Sequence, residues 1–219
     1  MMADLTKEQE LIVSLQEQGI DNPYIVGCDE AGRGAFAGPL VAAAVVLPQD
    51  ADLSEINDSK KISKRRHIAL SQKIMETALA IGIGIIDVDY IDRFGVGQAN
   101  KKAIEEAVAD LPITPSHLLI DGSTQQVITS DIPQTQLIKG DSISLSVASA
   151  SIIAKTVHDV IMRQLHEQHP DYSWNTNTGY GTQAHIEAIH TFGLTDHHRR
   201  SVKPIKEYLK KMQLTGGIA

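Results

Sequence analysis

The chain has 219 residues, of which 42% are hydrophobic, and a formal net charge of −7. This length can bury a sizeable core, most simply as one domain with an extension. The single cysteine, Cys28, excludes an internal disulfide and a cysteine-rich zinc site, which fits a reducing compartment. No uninterrupted apolar run approaches the roughly 20 residues of a membrane span, and the N-terminal residues lack the apolar core of a secretory signal. We therefore expect a soluble, cytoplasmic protein without membrane association.

The positive charges are concentrated in two segments of the chain. Of the 20 Lys and Arg residues, six lie in 60–73 and six more in 199–211. Glu207 is the only acidic residue in either segment. This segregation fits a basic track for nucleic acid on an acidic body, and it fits two solvated helix faces equally well.

The first half of the chain alternates helical and strand patterns. Thr6 and Gln9 resemble a capping box that opens a helix over 6–18. Apolar runs predict strands at 24–29 and 40–47, and the short connection between them favours an antiparallel hairpin. The pattern that follows predicts a helix at 63–80, a strand at 81–88 and a helix at 96–109.

The second half begins with two short strands and then becomes helical. The strands are expected at 118–122 and 136–141, followed by a long helix at 144–168, a polar loop at 175–182, a helix at 182–191 and a basic tail. This order predicts an α/β protein with a mixed sheet flanked by helices. Because the composition shifts near residue 170, we expect a catalytic domain over 1–170, the N-terminal helix included, and a C-terminal helical extension over 171–219 that belongs to the same unit and binds substrate.

The stretch with the most chemistry is the end of the first strand, where Asp29 and Glu30 precede glycines that flank Arg33. Neighbouring strand residues point to opposite faces, so the two acids are expected to share a site only where the strand ends. Two packed acids repel each other unless a cation lies between them or one is protonated. Arginine and flexible glycine backbone suit phosphate. The stretch therefore suggests phosphate-ester chemistry.

The patterns of two later strands predict that each also ends in an acid beside a glycine, at Asp121 and Asp141. Ligand sites in open α/β sheets gather at strand ends, so the four acids are expected to converge. Oxygen ligands favour hard divalent ions such as Mg²⁺ or Mn²⁺. Four carboxylates can hold two ions about 4 Å apart, which would generate hydroxide and stabilise the leaving oxygen of an in-line displacement at phosphorus.

Seven motifs in series resemble those of the ribonuclease HII family, over roughly residues 22 to 205. They are Gly27-x-Asp29-Glu30-Ala31-Gly32-Arg33-Gly34 with Gly38-Pro39, Asn57-Asp58-Ser59-Lys60-Lys61, Ile120-Asp121-Gly122, Lys139-Gly140-Asp141, Ala150-Ser151-Ile152-Ile153-Ala154-Lys155, Gly179-Tyr180 and His197-His198-Arg199-Arg200-Ser201. The resemblance implies an RNase H-like fold. It also implies hydrolysis of RNA in RNA–DNA hybrids and cleavage 5′ of ribonucleotides embedded in duplex DNA, leaving 3′-hydroxyl and 5′-phosphate ends.

The resemblance also implies roles for individual residues. Asp29, Glu30, Asp121 and Asp141 would be the catalytic carboxylates that bind Mg²⁺ or Mn²⁺ in a two-ion site. The other implied roles concern substrate. Gly32, Arg33 and Gly34 would contact the ribonucleotide, and Tyr180 would stack on the sugar at the RNA–DNA junction. Backbone phosphates would be bound by Asn57, Ser59 and Lys60. The family further implies a monomer.

Two positions depart from the family pattern. His158 stands where an arginine is expected before Asp159, and Phe94-Gly95-Val96 replaces the usual Leu-Asn-Ile. Neither involves the four acids, so the departures bear on substrate affinity. The histidines at 197 and 198, next to two arginines, are interpreted as a phosphate-facing or helix-capping cluster, since adjacent residues seldom share one metal.

Three other readings compete with this one. A dinucleotide site fits the loose pattern Gly32-x-Gly34-x-x-Ala37, but acids before the glycines would repel a pyrophosphate, and a strand follows where a helix is needed. A non-catalytic module that binds RNA–DNA hybrids is the alternative function, and the presence of all four acids opposes it. Ribonuclease HIII normally carries an additional N-terminal domain and a glutamate as its fourth acid, so Asp141 favours ribonuclease HII.

Overall fold

A computed structural model describes residues 3–53, 55–56, 64–123 and 127–214. Five strands form one sheet in the order β3-β2-β1-β4-β5. They are β1 (Ile25–Ala31), β2 (Leu40–Val46), β3 (Ala80–Ile86), β4 (His117–Asp121) and β5 (Gln134–Leu137). The first three pair antiparallel, and β1, β4 and β5 run parallel. This mixed sheet confirms the predicted fold class and the predicted hairpin.

Helices cover both faces of the sheet. They are α1 (Thr6–Glu17), α2 (Lys64–Thr77), α3 (Val88–Phe94), α4 (Val96–Ala109), α5 (Leu145–Gln168), α6 (Trp174–Asn177), α7 (Gln183–Phe192) and α8 (Lys203–Leu214). On one face, α4 packs against alternate residues of β1, β2 and β4. On the other face, α2 and α5 pack against the remaining alternate residues of β2. The period-2 alternation of the strands therefore supplies two apolar cores.

Glycines on the strands let the helices approach the sheet closely. A Cβ atom on Gly82 or Gly84 would lie 2.0 Å from a carbonyl oxygen of α4, and one on Gly27 would lie 2.2 Å from the backbone of α5. Real Cβ atoms do not approach other atoms so closely. The hydrogen atom of glycine is therefore required at these three positions.

Helix α5 is the central helix of the molecule, and the prediction of its bounds is confirmed. Ser144 is its N-cap and accepts a hydrogen bond from the backbone N–H of Val147. By length and composition it could cross a membrane, although polar residues interrupt its apolar sequence. However, 61% of its most apolar window is buried within the fold, and packing against β1 and β2 explains its composition.

The N-terminal helix is attached to the start of α5 by a buried carboxylate. Glu8 Oε1 accepts hydrogen bonds from Ser144 Oγ (2.6 Å), Ser146 N (2.9 Å) and Ser146 Oγ (2.7 Å). The expected capping box at Thr6 is wrong, because the side chain of Asp4 accepts from the Thr6 N–H instead. A carboxylate at a helix N-terminus is favoured by the helix dipole.

The chain beyond residue 170 packs on the second half of α5. Trp174, fully buried, stacks on Tyr172 and belongs to an apolar cluster that includes Met162 of α5. The cluster also includes residues of α7 and α8. The division of the chain at residue 170 stays a prediction.

Candidate active site

Asp29 lies in β1 and is anchored by the helix on its side of the sheet. It pairs across the hairpin with Ala43, whose side chain belongs to the core beneath α5. Ser151 of α5 forms a hydrogen bond with the carboxylate, and Asp29 Oδ1 also accepts from the Glu30 N–H at 2.8 Å. Asp29 is only 7% exposed. Its carboxylate is therefore held in place from two sides.

Glu30 is anchored by the opposite layer. It pairs with Ala42, whose side chain faces α4, and Asn100 of α4 forms a hydrogen bond with the Glu30 carboxylate. Arg33 Nη1 donates to Glu30 Oε1 at 3.2 Å. The second oxygen, Oε2, is buried and has no hydrogen-bond partner. Glu30 thus keeps one acceptor oxygen free for a ligand.

The expected reason for the pairing of these two acids is wrong. We expected β1 to end at residue 29, so that a turn would bring Asp29 and Glu30 together. The strand continues to Ala31 and pairs with β2 from Val26 to Ala31. The two side chains leave opposite faces of the sheet, and the charge of Glu30 still raises the pKa of Asp29.

Asp121 ends β4, as predicted, and lies beside Asp29. The last pair between β1 and β4 joins Cys28 to Ile120, so the next residues on the two parallel strands are Asp29 and Asp121. Asp121 Oδ1 accepts from the backbone N–H of Gly140 at 2.6 Å. This bond ties the end of β4 to the segment that carries Asp141.

Asp141 does not end a strand, contrary to the expectation. Strand β5 ends at Leu137, and Asp141 lies in a short 3₁₀ turn over Gly140–Ser142. Lys139, in the left-handed conformation, begins that turn. Because the turn leads into α5, the position of Asp141 is fixed by the helix and by the contact between Gly140 and Asp121.

The electrostatics of the acids fit a site that binds cations. Burial, together with the charges of Glu30 and Asp121, raises the pKa of Asp29 well above its usual value. Burial also raises the pKa of Glu30, against the opposing effect of Arg33. Both shifts mean that the ionised carboxylates lack sufficient counter-charge from the protein. A divalent ion would supply that charge.

The site opens into a cleft of about 250 Å³. Its lining includes the two acids Glu30 and Asp141, the hydroxyl of Ser151, and Lys155, His67 and Tyr180. Lys155 Nζ lies 5.9 Å from the centre of the Tyr180 ring and forms an ion pair with Asp159. The cleft therefore combines carboxylates with a cation and a partly exposed aromatic ring.

The predicted substrate loop lies at the edge of this cleft. Gly32 has φ +81°, and a Cβ atom there would lie 2.5 Å from the ring of His158. A Cβ atom on Gly34 would lie 3.8 Å from the ring of Tyr180. Half of the Arg33 side chain is exposed. The structure thus brings Gly32, Arg33, Gly34 and Tyr180 together, beside Glu30.

Three predicted phosphate-binding residues lie outside the described residues. They are Asn57, Ser59 and Lys60, and their roles stay predictions. Ser63, expected to cap α2, lies outside as well.

Sequence reasoning assigned no role to Ser151 or Asn100, which contact Asp29 and Glu30. Ser151 belongs to a motif of the series, and this membership was the available signal. Asn100 had no signal beyond its place in an amphipathic helix, where it is 1% exposed.

Of the two alternatives for the histidines at 197 and 198, a phosphate-facing or a helix-capping cluster, the phosphate-facing one is wrong for His198. It is 1% exposed, accepts from the Thr195 N–H through Nδ1, and lies 3.2 Å from His185 through Nε2. His185 in turn contacts the Trp174 indole N–H and the Tyr180 carbonyl. Burial lowers the pKa of His198 to about 3. These neutral rings support the segment that carries Tyr180.

The carboxylate side chains of the site are chemically suitable ligands for divalent cations. The free Oε2 atom of Glu30 and the repulsion among buried carboxylates are features that a cation would relieve. Within the described residues, no three or more His, Cys, Asp or Glu side chains are grouped so that they could together hold a metal ion. The acids come from β1, β4 and the turn before α5, so a bound ion would connect three elements.

Known proteins resemble this chain throughout the segment that forms the site. The model of the ribonuclease HII family matches residues 26–205. Ribonuclease HII of Bacillus cereus (strain B4264) is 46% identical over 198 residues, which cover 90% of this chain and 75% of that protein.

Two solved structures share the fold. Ribonuclease H2 from Pyrococcus horikoshii OT3 has a TM-score of 0.74 at 20% identity, covering 87% of this chain and 99% of that one. Bst-RNase HIII in complex with Mn²⁺ has a TM-score of 0.65 at 22% identity, covering 91% and 73% respectively. Their identity is too low to show more than the fold. The family follows from the match over 26–205 and from the 46% identical relative: the chain belongs to the ribonuclease HII family.

Proposed function

We propose that this protein is an endoribonuclease that hydrolyses the RNA strand of RNA–DNA hybrids and cuts 5′ of ribonucleotides embedded in duplex DNA. The products would carry 3′-hydroxyl and 5′-phosphate ends. The observation that carries the proposal is the group of buried carboxylates, in which the charges of Glu30 and Asp121 raise the pKa of Asp29, beside the loop of Arg33 and the neighbouring Tyr180.

Asp29, Glu30, Asp121 and Asp141 would hold two divalent ions, Mg²⁺ or Mn²⁺. Bound there, such ions would lower the pKa of water and stabilise the charge that develops on the leaving oxygen. The Mn²⁺ complex of a structural neighbour supports this choice of cofactor.

The protein's own contribution is to hold the carboxylates in fixed orientations. Ser151 orients Asp29, while Asn100 and Arg33 orient Glu30. The backbone N–H of Gly140 orients Asp121. Because these donors come from different layers of the fold, the carboxylates require little reorganisation when substrate binds.

Substrate recognition would use the exposed part of the same loop. Arg33 is a forked donor at the cleft, and backbone groups of Gly32 and Gly34 can approach the ribonucleotide closely because no side chain intervenes. The 2′-hydroxyl distinguishes RNA from DNA at a given position. Tyr180, 36% exposed, would pack on the sugar at the RNA–DNA junction.

The charges around the cleft favour an anionic substrate. Lys155 lines the cleft, and exposed Lys side chains extend along α8. Such contacts position a duplex without reading its sequence. The binding of backbone phosphates by Asn57, Ser59 and Lys60 belongs to the same proposal.

The test is cleavage of a labelled DNA duplex that contains one ribonucleotide, with Mg²⁺, with Mn²⁺ and with EDTA. An all-DNA duplex of the same sequence is the control substrate, and Asp29→Asn is the control enzyme. Metal-dependent cutting on the 5′ side of the ribonucleotide is expected from the wild-type protein alone. Binding without cutting would instead support a non-catalytic module for RNA–DNA hybrids. Gel filtration with and without duplex tests the expected monomer.

A further inference from the structure

Arg199 is a fully buried cation whose guanidinium group contacts the backbone of the substrate loop. Its three nitrogens each donate to a carbonyl oxygen: Nε to Gly38 at 2.9 Å, Nη1 to Arg33 at 3.1 Å and Nη2 to Pro39 at 2.7 Å. The residue is 0% exposed. A direct contact between Arg199 and a phosphate is therefore excluded.

The backbone around Arg199 holds the same loop. The Arg199 N–H donates to the Phe36 carbonyl at 2.8 Å, and the Gly38 N–H donates to the His197 carbonyl at 2.8 Å. On its other side, the loop donates from Phe36 N to the Gly179 carbonyl at 2.7 Å. The loop is thus fixed between the segment 197–199 and the residue that precedes Tyr180.

Arg199 is compensated by dipoles and not by an acid. Among the ion pairs of the described residues, none involves Arg199. Asp92, which contributes a favourable charge, is instead hydrogen-bonded to the backbone N–H groups of Arg200 and Ser201. Burying a cation is costly unless its donors are satisfied. An arginine at this place requires all three loop carbonyls in position.

The fork geometry explains why this residue is an arginine. A guanidinium is planar and presents fixed donors that can bridge several carbonyls at once, whereas a lysine ammonium is a compact point charge. The carbonyl of Arg33 accepts one of these bonds. The peptide that orients the Arg33 side chain is therefore bonded directly to Arg199.

We propose that Arg199 is a positioning residue that fixes the loop 33–39, so that Arg33 and the neighbouring Tyr180 are presented to the ribonucleotide. This inference rests on the proposed function. Arg199 touches neither substrate nor metal and acts through Arg33. Without the three hydrogen bonds of the Arg199 guanidinium, the loop 33–39 is no longer held in place. The recognition of the ribonucleotide that depends on Arg33 is then lost as well.

The test is a double-mutant cycle of Arg199→Lys and Arg33→Ala, with kcat and KM measured on the single-ribonucleotide duplex. Arg199→Lys should reduce kcat/KM about tenfold or more, because small misplacements of binding groups have large effects. In the Arg33→Ala background the same change should have less than about a twofold effect, since the group that it positions is absent. Ser201→Ala, which removes a hydroxyl bonded to Asp92 in the same segment, is the matched control and should change kcat/KM less than about twofold.

Additive effects of the two substitutions would overturn the inference, as would wild-type kinetics for Arg199→Lys. If Arg199→Lys does not fold, Thr195→Val provides the same test in a milder form. Thr195 Oγ1 accepts from the His197 N–H at 3.2 Å, so its loss loosens the segment and keeps the guanidinium. The same coupling to Arg33 is expected, and additivity would again count against the role.

Hydrogen exchange separates a failure of this inference from a failure of the proposed function. The amides of Phe36 and Gly38 should exchange at least about tenfold faster in Arg199→Lys than in wild type, and at an unchanged rate in Ser201→Ala. Faster exchange in a protein that cuts no substrate would refute the proposed function and leave the fixation of the loop standing. Unchanged exchange would refute the fixation, whatever the activity.

Discussion

Replacing Gly27 by alanine tests whether the contact between β1 and α5 sets the geometry of the site. The new Cβ atom would lie 2.2 Å from Ser146 C, 2.3 Å from Val147 N and 2.5 Å from Ser146 Oγ. Two of these atoms belong to the helix backbone, which cannot rotate away as a side chain can. Ordinary contact begins at 3.4 Å, so the helix and the strand must separate by about 1 Å.

The expected cost follows from that displacement. Overpacking a core costs about 1–3 kcal/mol, and a site where backbone must move lies at or above the upper end of this range. For a protein of this size, each kcal/mol lowers Tm by about 2–4 °C. We therefore expect a loss of about 3 kcal/mol and a decrease in Tm of about 6–12 °C.

Urea unfolding and calorimetry of the Gly27→Ala variant measure this loss. Gly97→Ala is the matched control, because nothing lies within 4 Å of its Cβ position and the residue is helical, so the change should be neutral or stabilising by up to about 1 kcal/mol. Activity should fall further than stability predicts, since Asp29 follows two residues later and its partner Ser151 is on the displaced helix. A loss below about 1 kcal/mol for Gly27→Ala would refute the argument from close approach.

Three further predictions concern buried titratable groups. Because the pKa of Asp29 is raised, its contribution to stability is complete below pH 3.8 and is lost as the pH rises. In EDTA, Asp29→Asn should remove that loss of stability. Mn²⁺ should raise the Tm of wild type but not of the variant. The effect of His198 has the opposite sign. Because its pKa is lowered from 6.5 to about 3, its contribution to stability is lost as the pH falls below 6.5. Between pH 7 and pH 5, wild type should lose about 2 kcal/mol more than His198→Asn in urea titrations, and equal losses would exclude His198 as the cause. Burial raises the pKa of the Cys28 thiol, which should resist alkylation in the native protein and react in urea; rapid native labelling would contradict its burial.

The elements that were predictable from sequence are those with long, regular patterns and local signals. Helix α5 has its N-cap at Ser144 and a continuous apolar face, and both were visible in the sequence. The hairpin of β1 and β2 followed from two apolar runs with a short connection. The four acids were identifiable as candidates because three of the motifs carry them: Asp29 and Glu30 lie in the first, and Asp121 and Asp141 lie in one each.

The errors arose where a local pattern was read without its neighbours. The run up to Asp141 looked like a strand that ends in an acid, but Ile138 is 74% exposed and the backbone turns at Lys139. Strand pairing was not visible either, so β1 was ended at its first acid although its partner strand continues to pair. A pairing partner is a property of the sheet and leaves little trace in one strand.

Because Asp29 and Glu30 lie on opposite faces of the sheet, the site depends on the packing of both helix layers. Each acid is oriented by a helix of its own layer, Asp29 by Ser151 of α5 and Glu30 by Asn100 of α4. Neither helix can orient both. The two acids are therefore held in place together only when both helices are packed on the sheet.

The strand glycines meet that condition. Gly27 lets α5 approach β1 one turn before Ser151, while Gly82 and Gly84 let α4 approach β3 closely, with Asn100 one turn before the contact at Ala103. Any larger side chain at these positions would displace a helix that carries a partner of a carboxylate. Three glycines outside turns are thus part of the architecture of the site, because Gly27 sets the distance between α5 and the strand that carries the acids, and Gly82 and Gly84 set the distance between α4 and the same sheet at β3.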